Sequence, residues 1–119
     1  MNIHHLSTTP SILNKFISEI RDQTIQKDAL RFRRNIERIG EILGYELSKE
    51  LAYESVEVTT PLGKKQIDLP KKEIVLCSIL RAGLTLHQGL LNYFDSAENA
   101  FISAYRHHSN KDAEFEIVV

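Results

Sequence analysis

The stretch Lys72–Phe94, KEIVLCSILRAGLTLHQGLLNYF, decides the fold. It opens with the charged pair Lys72 and Glu73 and then runs apolar from Ile74 to Leu80, interrupted only by Ser78. So short an apolar run between turn signals predicts a strand buried on both faces. Arg81-Ala82-Gly83 breaks the run. Beyond it Leu84, His87, Leu91 and Phe94 recur at helical spacing, with Leu90 beside them, which predicts a helix over 84–94. In a strand, tight loop and helix of this kind, backbone N–H groups and the helix N-terminus converge on an anion at the strand's carboxyl end. Ala82 and Gly83 leave the backbone open to an anion, and Arg81 adds a permanent charge with a planar fork of donors. The same residues also suit an ordinary strand-to-helix turn with a solvated arginine, and no full glycine fingerprint is present.

On the N-terminal side of this unit, Tyr53–Leu69 has a period of two. Val56 and Val58 alternate with Glu57 and Thr59, Pro61-Leu62-Gly63 supplies a turn, and Gln66-Ile67-Asp68-Leu69 returns. This predicts a hairpin arm, and two strands alone are marginal in water, so the arm needs another element or subunit to pack on. On the C-terminal side, Asp95-Ser96 marks a turn and Ala97–Arg106 a second buried strand, parallel to the first across the helix. Arg106 would then stand at the same sheet edge as Arg81, and two converging arginines argue for a polyanion better than one. Glu114–Val119 is strand-like again.

Two helices come first in the chain. Thr9-Pro10 is a capping hydroxyl followed by a helix-starting proline, and Ile12, Leu13, Phe16, Ile17 and Ile20 form one apolar face. After a connector at 22–27, Phe32, Ile36, Ile39 and Leu43 follow helical spacing, and Gly44 is a natural C-terminal stop, with Tyr45–Leu51 open to continuing the helix by another turn or two. Arg31, Arg34 and Arg38 make a basic stripe on that helix. Glu37 and Glu41 interleave with it, so a solvated, internally paired face is the simpler reading beside a phosphate or subunit contact.

Composition bounds the function. The chain has 119 residues, 42% of them apolar, enough for one domain with a modest core, and a formal net charge of −1. That balance argues against a dedicated nucleic-acid binder. The lone Cys77 sits in the apolar run as a small buried hydrophobe, forms no internal disulfide and fits a reducing cytoplasmic compartment. No apolar run reaches the roughly 18–20 residues of a membrane span, and the N-terminus lacks a signal-peptide pattern. The pairs His4-His5 and His107-His108 are poor joint metal ligands, because neighbours in an extended chain point to opposite sides.

Ser78-Ile79-Leu80-Arg81-Ala82-Gly83-Leu84 resembles the ILRAG loop of uracil phosphoribosyltransferases. Other features agree in order: Arg31-Phe32-Arg33, Tyr45-Glu46, Thr60-Pro61-Leu62-Gly63, Gly89-Leu90-Leu91, Ser96-Ala97 and Ala104-Tyr105-Arg106. The match runs from about Pro10 to the last residue. Ser78 stands where the family usually has proline, and His107 and His108 where it usually has acidic residues. The family's later acidic signature ending in ATGG, which holds ribose and 5′-phosphate, and its uracil-recognition segment are not in this sequence.

The resemblance therefore implies an α/β fold, the N-terminal part of a single type I phosphoribosyltransferase domain over residues 1–119. It would comprise N-terminal helices, a hairpin arm and the first strands of a parallel sheet. It implies that Arg81, Ala82, Gly83 and Arg106 grip the diphosphate of phosphoribosyl pyrophosphate (PRPP), with magnesium bound alongside PRPP and no metal held by the protein itself. The implied reaction is uracil plus PRPP giving UMP and diphosphate, in pyrimidine salvage, while the unpartnered arm 53–69 and the N-terminal helices add the expectation of a cytoplasmic homo-oligomer, a dimer, joined through them. The chain by itself is expected to be catalytically silent. Two readings stand beside this one: a related PRPP-binding regulator, and a non-catalytic assembly module that uses the arm and apolar helices.

Overall fold

The computed structural model describes residues 2–71, 74–107 and 116–119, with only the backbone of Arg106, His107 and Glu116. The first helix, α1, spans Ile12–Arg21 and is capped by Ser11, whose hydroxyl accepts from the Leu13 N–H at 3.2 Å. The cap is thus Ser11 rather than Thr9, and Pro10 lies outside the helix, because the Ser11 hydroxyl is the one that reaches a first-turn amide. At the other end, the Asp22 carboxylate accepts from Thr24 N–H at 2.8 Å and Ile25 N–H at 2.9 Å, folding the connector into a tight turn. Asp28 then caps the second helix, α2, Ala29–Ser48, by accepting from the Arg31 N–H.

Helix α2 does not stop at Gly44. It runs through to Ser48, and both Gly40 and Gly44 are buried. The reason is packing rather than backbone conformation. A Cβ on Gly44 would stand 3.3 Å from Leu90 and 3.5 Å from Phe94, and one on Gly40 would stand 2.5 Å from the Leu86 carbonyl oxygen. These glycines let α2 approach the helix α3, Leu84–Leu91, to backbone contact.

The arm consists of β1, Tyr53–Thr60, and β2, Gly63–Pro70, paired antiparallel in continuous register from Tyr53↔Pro70 to Thr60↔Gly63. Thr60 Oγ1 donates to the Gly63 carbonyl at 2.7 Å, and Gly63 takes φ +132°, a conformation open to glycine. Every residue of β2 is exposed.

Strand β3, Val75–Leu80, pairs in parallel with β4, Glu98–Ser103, from Val75↔Glu98 to Leu80↔Ser103, and α3 connects them. The expected two-sided burial of β3 is overturned. Helix α3 covers the face carrying Leu76, Ser78 and Leu80, whereas Val75 and Ile79 are 60% and 59% exposed and Cys77 is exposed as well. A parallel strand is buried on both faces only when both faces are covered, and here one is.

The strand expected over 97–106 is also divided. β4 ends at Ser103, and Tyr105–His107 forms a separate strand, β5, paired antiparallel with β6, Glu116–Val118. The strand-like C-terminus thus pairs with β5 instead of extending the parallel sheet. His108, Glu114 and Phe115 lie outside the described residues.

The molecule is 69 Å long with a Cα radius of gyration of 19.1 Å, against about 14 Å for a compact chain of this length. Its 9759 Å² of accessible surface exceeds the roughly 6600 Å² of a compact monomer of this mass. Among the described residues the buried apolar side chains are Leu13, Leu76 and Ala97. Much apolar surface is left for other structure to cover.

Candidate functional site

The loop Arg81-Ala82-Gly83 lies between the carboxyl end of β3 and the first turn of α3. Its fold is set by two turn bonds, Gly83 N–H to the Ile79 carbonyl at 3.0 Å and Leu84 N–H to the Arg81 carbonyl at 3.2 Å. The Leu80–Arg81 peptide is cis. Gly83 has φ −70°, which any residue adopts. What requires glycine there is space: a Cβ would stand 2.8 Å from the Ile79 carbonyl oxygen and 3.4 Å from the Ser78 Cβ. The sequence reading gave Gly83 an open backbone toward an anion, but the structure turns its bare side toward β3. With the Gly83 and Leu84 amides spent on the turn, the loop's groups for a ligand are the Arg81 and Ala82 amides and the Arg81 guanidinium. Arg81 and Ala82 are exposed, and among the described residues Arg81 makes no ion pair.

These donors select an anion. N–H groups and a guanidinium at the carboxyl edge of a parallel strand pair give charge-assisted, directional bonds to phosphate oxygens. They do not ligate a cation, and no cluster of three or more His, Cys, Asp or Glu side chains able to hold a metal occurs among the described residues.

Arg106 was expected at the same edge. Leu80 pairs with Ser103, so the backbone of Arg81 lies one residue past that edge and that of Arg106 three residues past it, in β5. The side chain of Arg106 lies outside the described structure.

Under the loop lies a set of residues that spacing did not single out for function. His87 of α3 is 5% exposed. Its Nδ1 is 2.7 Å from Ser78 Oγ of β3, and its Nε2 meets Asn99 Oδ1 of β4. Asn99 in turn donates its amide N–H to the Ala97 carbonyl at 3.2 Å, and the His87 ring packs on Phe101 with centroids 5.2 Å apart. No single stretch of sequence signals this group, because it joins three elements.

The basic stripe of α2 is largely engaged, but only Arg34 pairs with one of the interleaved acids. Arg31 meets Glu19 of α1 at 3.3 Å and Arg34 meets Glu37 at 3.1 Å. Arg38 donates to Asn35 Oδ1 and lies over the Phe16 ring. Glu41 instead accepts from Asn92 at 2.7 Å. The buried Asn35 donates to Glu19 at 2.7 Å, and that bond, followed by Arg31, holds the Glu19 carboxyl below its ordinary range against a partly opposing desolvation.

The uracil phosphoribosyltransferase family model matches residues 7–118. The chain belongs to the uracil phosphoribosyltransferase family. A uracil phosphoribosyltransferase of Porphyromonas gingivalis is 53% identical over 111 residues, covering 93% of this chain and 51% of the relative. One from Methanococcus vannielii is 34% identical over 111 residues, covering 92% of this chain and 47% of the relative. In structure, the AQ2163 protein from Aquifex aeolicus superposes with TM-score 0.71 at 26% identity, covering the whole of this chain and 53% of that one. This member of the uracil phosphoribosyltransferase family thus spans about half the length of the relatives it matches, and the partial α/β architecture expected from the sequence is the one observed.

Proposed function

We propose that the chain supplies the diphosphate-binding part of a uracil phosphoribosyltransferase of pyrimidine salvage, converting uracil and PRPP to UMP and diphosphate. One observation carries this reading: Arg81-Ala82-Gly83 folds as a tight, exposed cationic loop between a parallel strand and a helix, in a chain of this family. In the reaction the bond from the anomeric carbon to diphosphate breaks, a bond to a uracil nitrogen forms, and that nitrogen's proton leaves. Negative charge grows on the departing diphosphate, so the Arg81 guanidinium and the adjoining amides bind the transition state more strongly than the substrate. Arg106 is the second cation of this site in the proposal, supported by its backbone position past the same sheet edge. Magnesium would enter on the substrate's own oxygens, with no ligand from the described residues.

The 5′-phosphate, ribose and base fall to residues this sequence does not contain, and the chain alone is expected to be silent. A cytoplasmic setting is supported by the exposed free thiol of Cys77, which suits a reducing compartment. Among the described residues no helix is long and apolar enough to cross a membrane. Self-association through the arm is supported by the exposure of Val58, Ile67 and Leu69 on a two-stranded ribbon that cannot bury them by itself. The test is uracil-dependent release of pyrophosphate from PRPP by a polypeptide that joins this chain to the remaining half of the family's domain. Turnover that Arg81→Ala reduces is expected, and no turnover from a folded polypeptide would refute the assignment.

A further inference from the structure

We propose that Ser78, His87 and Asn99 form a tether that positions the Arg81–Gly83 loop for its anion, an inference that rests on the diphosphate reading of that loop. The donor order follows from the bonds. Asn99 uses its amide N–H on the Ala97 carbonyl, so its Oδ1 is the atom turned to His87. His87 Nε2 therefore carries the proton, and Nδ1 accepts from the Ser78 hydroxyl. A buried ring is thereby satisfied at both nitrogens by two different strands.

The tether lies against the loop. Ser78 is three residues from Arg81, and its Cβ forms the wall 3.4 Å from where a Gly83 Cβ would stand. The Gly83 carbonyl accepts from the His87 N–H at 2.9 Å, so the residue that anchors the ring also anchors the loop's last residue. Ser78 fixes where β3 ends, His87 where α3 begins, and Asn99 ties both to β4. The serine hydroxyl is held at Nδ1 inside the packed strand–helix contact, as a support for the loop. The three are positioning residues, since none of them touches the proposed ligand.

Amide hydrogen exchange on the whole chain, paired with calorimetry using magnesium pyrophosphate, tests the tether. In Ser78→Ala the Gly83, Leu84 and His87 amides should exchange about tenfold faster while those of α2 around Asn35 hold their rate. Ser78→Thr keeps the hydroxyl and should restore protection. Asn99→Ala, on the face of the sheet that α3 covers but at a solvent-accessible position of β4, serves where Ser78→Ala does not fold and should give the same local pattern. A loss of protection spread evenly over α2 and the loop, or none at all, overturns the tether even where Arg81→Ala abolishes pyrophosphate binding. Pyrophosphate that binds the native chain and Arg81→Ala equally, or neither, refutes the diphosphate reading, and the exchange pattern decides the tether independently.

Discussion

Gly40 of α2 and Gly89 of α3 face each other where the two helices cross, and a Cβ on Gly40 would stand 3.2 Å from the Gly89 Cα. A Cβ on Gly89 would overlap the backbone carbonyl of Glu37. The crossing places α3, and with it the first turn behind Arg81, against the longest helix in the chain.

Gly89→Ala should therefore destabilise the fold. Alanine gains about 1 kcal/mol of helix propensity over glycine. Overpacking costs about 1–3 kcal/mol, and here the obstacle is a carbonyl that yields only if the helices part. A lower melting temperature is expected, and an unchanged or higher one would show that the crossing has room.

A second dependence runs through pH. Glu19 is held below its ordinary value near 4.5 chiefly by the Asn35 amide, and Asp22 below its ordinary 3.8 by the Ile25 and Thr24 N–H groups. A carboxylate whose folded pKa is depressed contributes stability fully above its unfolded pKa and loses it as pH falls through the folded one. Denaturation midpoints should thus fall on acidification below about pH 4.5. Asn35→Ala should flatten that slope, and an unaltered slope would remove Glu19 from the account.

Gly63→Ala should disturb the arm locally. At φ +132° an L side chain is strained, by about 1–3 kcal/mol in such a region. Exchange should quicken at the Thr60 end of the ribbon while α2 keeps its protection, and equal protection in both would contradict this.

The arm should also mediate association. Lysine at Ile67, which is 44% exposed on β2, adds a charge to a face that is expected to be covered on assembly. Sedimentation should show a concentration-dependent larger species for the native chain and less of it for Ile67→Lys, and identical profiles would exclude this face.

Much of this was legible in the sequence, and the failures have physical reasons. The strand, loop and helix expected over 74–94, of which the helix ends at Leu91, and the arm were readable because period and turn residues are local signals. Gly44 left the end of α2 open between a stop there and a continuation over 45–51, since a glycine that ends a helix and one that lets a neighbour approach look alike until the neighbour is placed. β3 and Cys77 were expected to be buried because an apolar run records what a fold is built to cover, while α3 covers only one face. The Ser78–His87–Asn99 group could not be read at all: its members are 9 and 12 residues apart along the chain and meet only through the parallel pairing.

The most direct test of the central claim is calorimetry of magnesium pyrophosphate with the chain and with Arg81→Ala. Weak binding that salt diminishes is expected, and the substitution should weaken it by roughly 10- to 100-fold, the equivalent of one charge-assisted contact. Binding that is indifferent to the loss of Arg81 would contradict that claim.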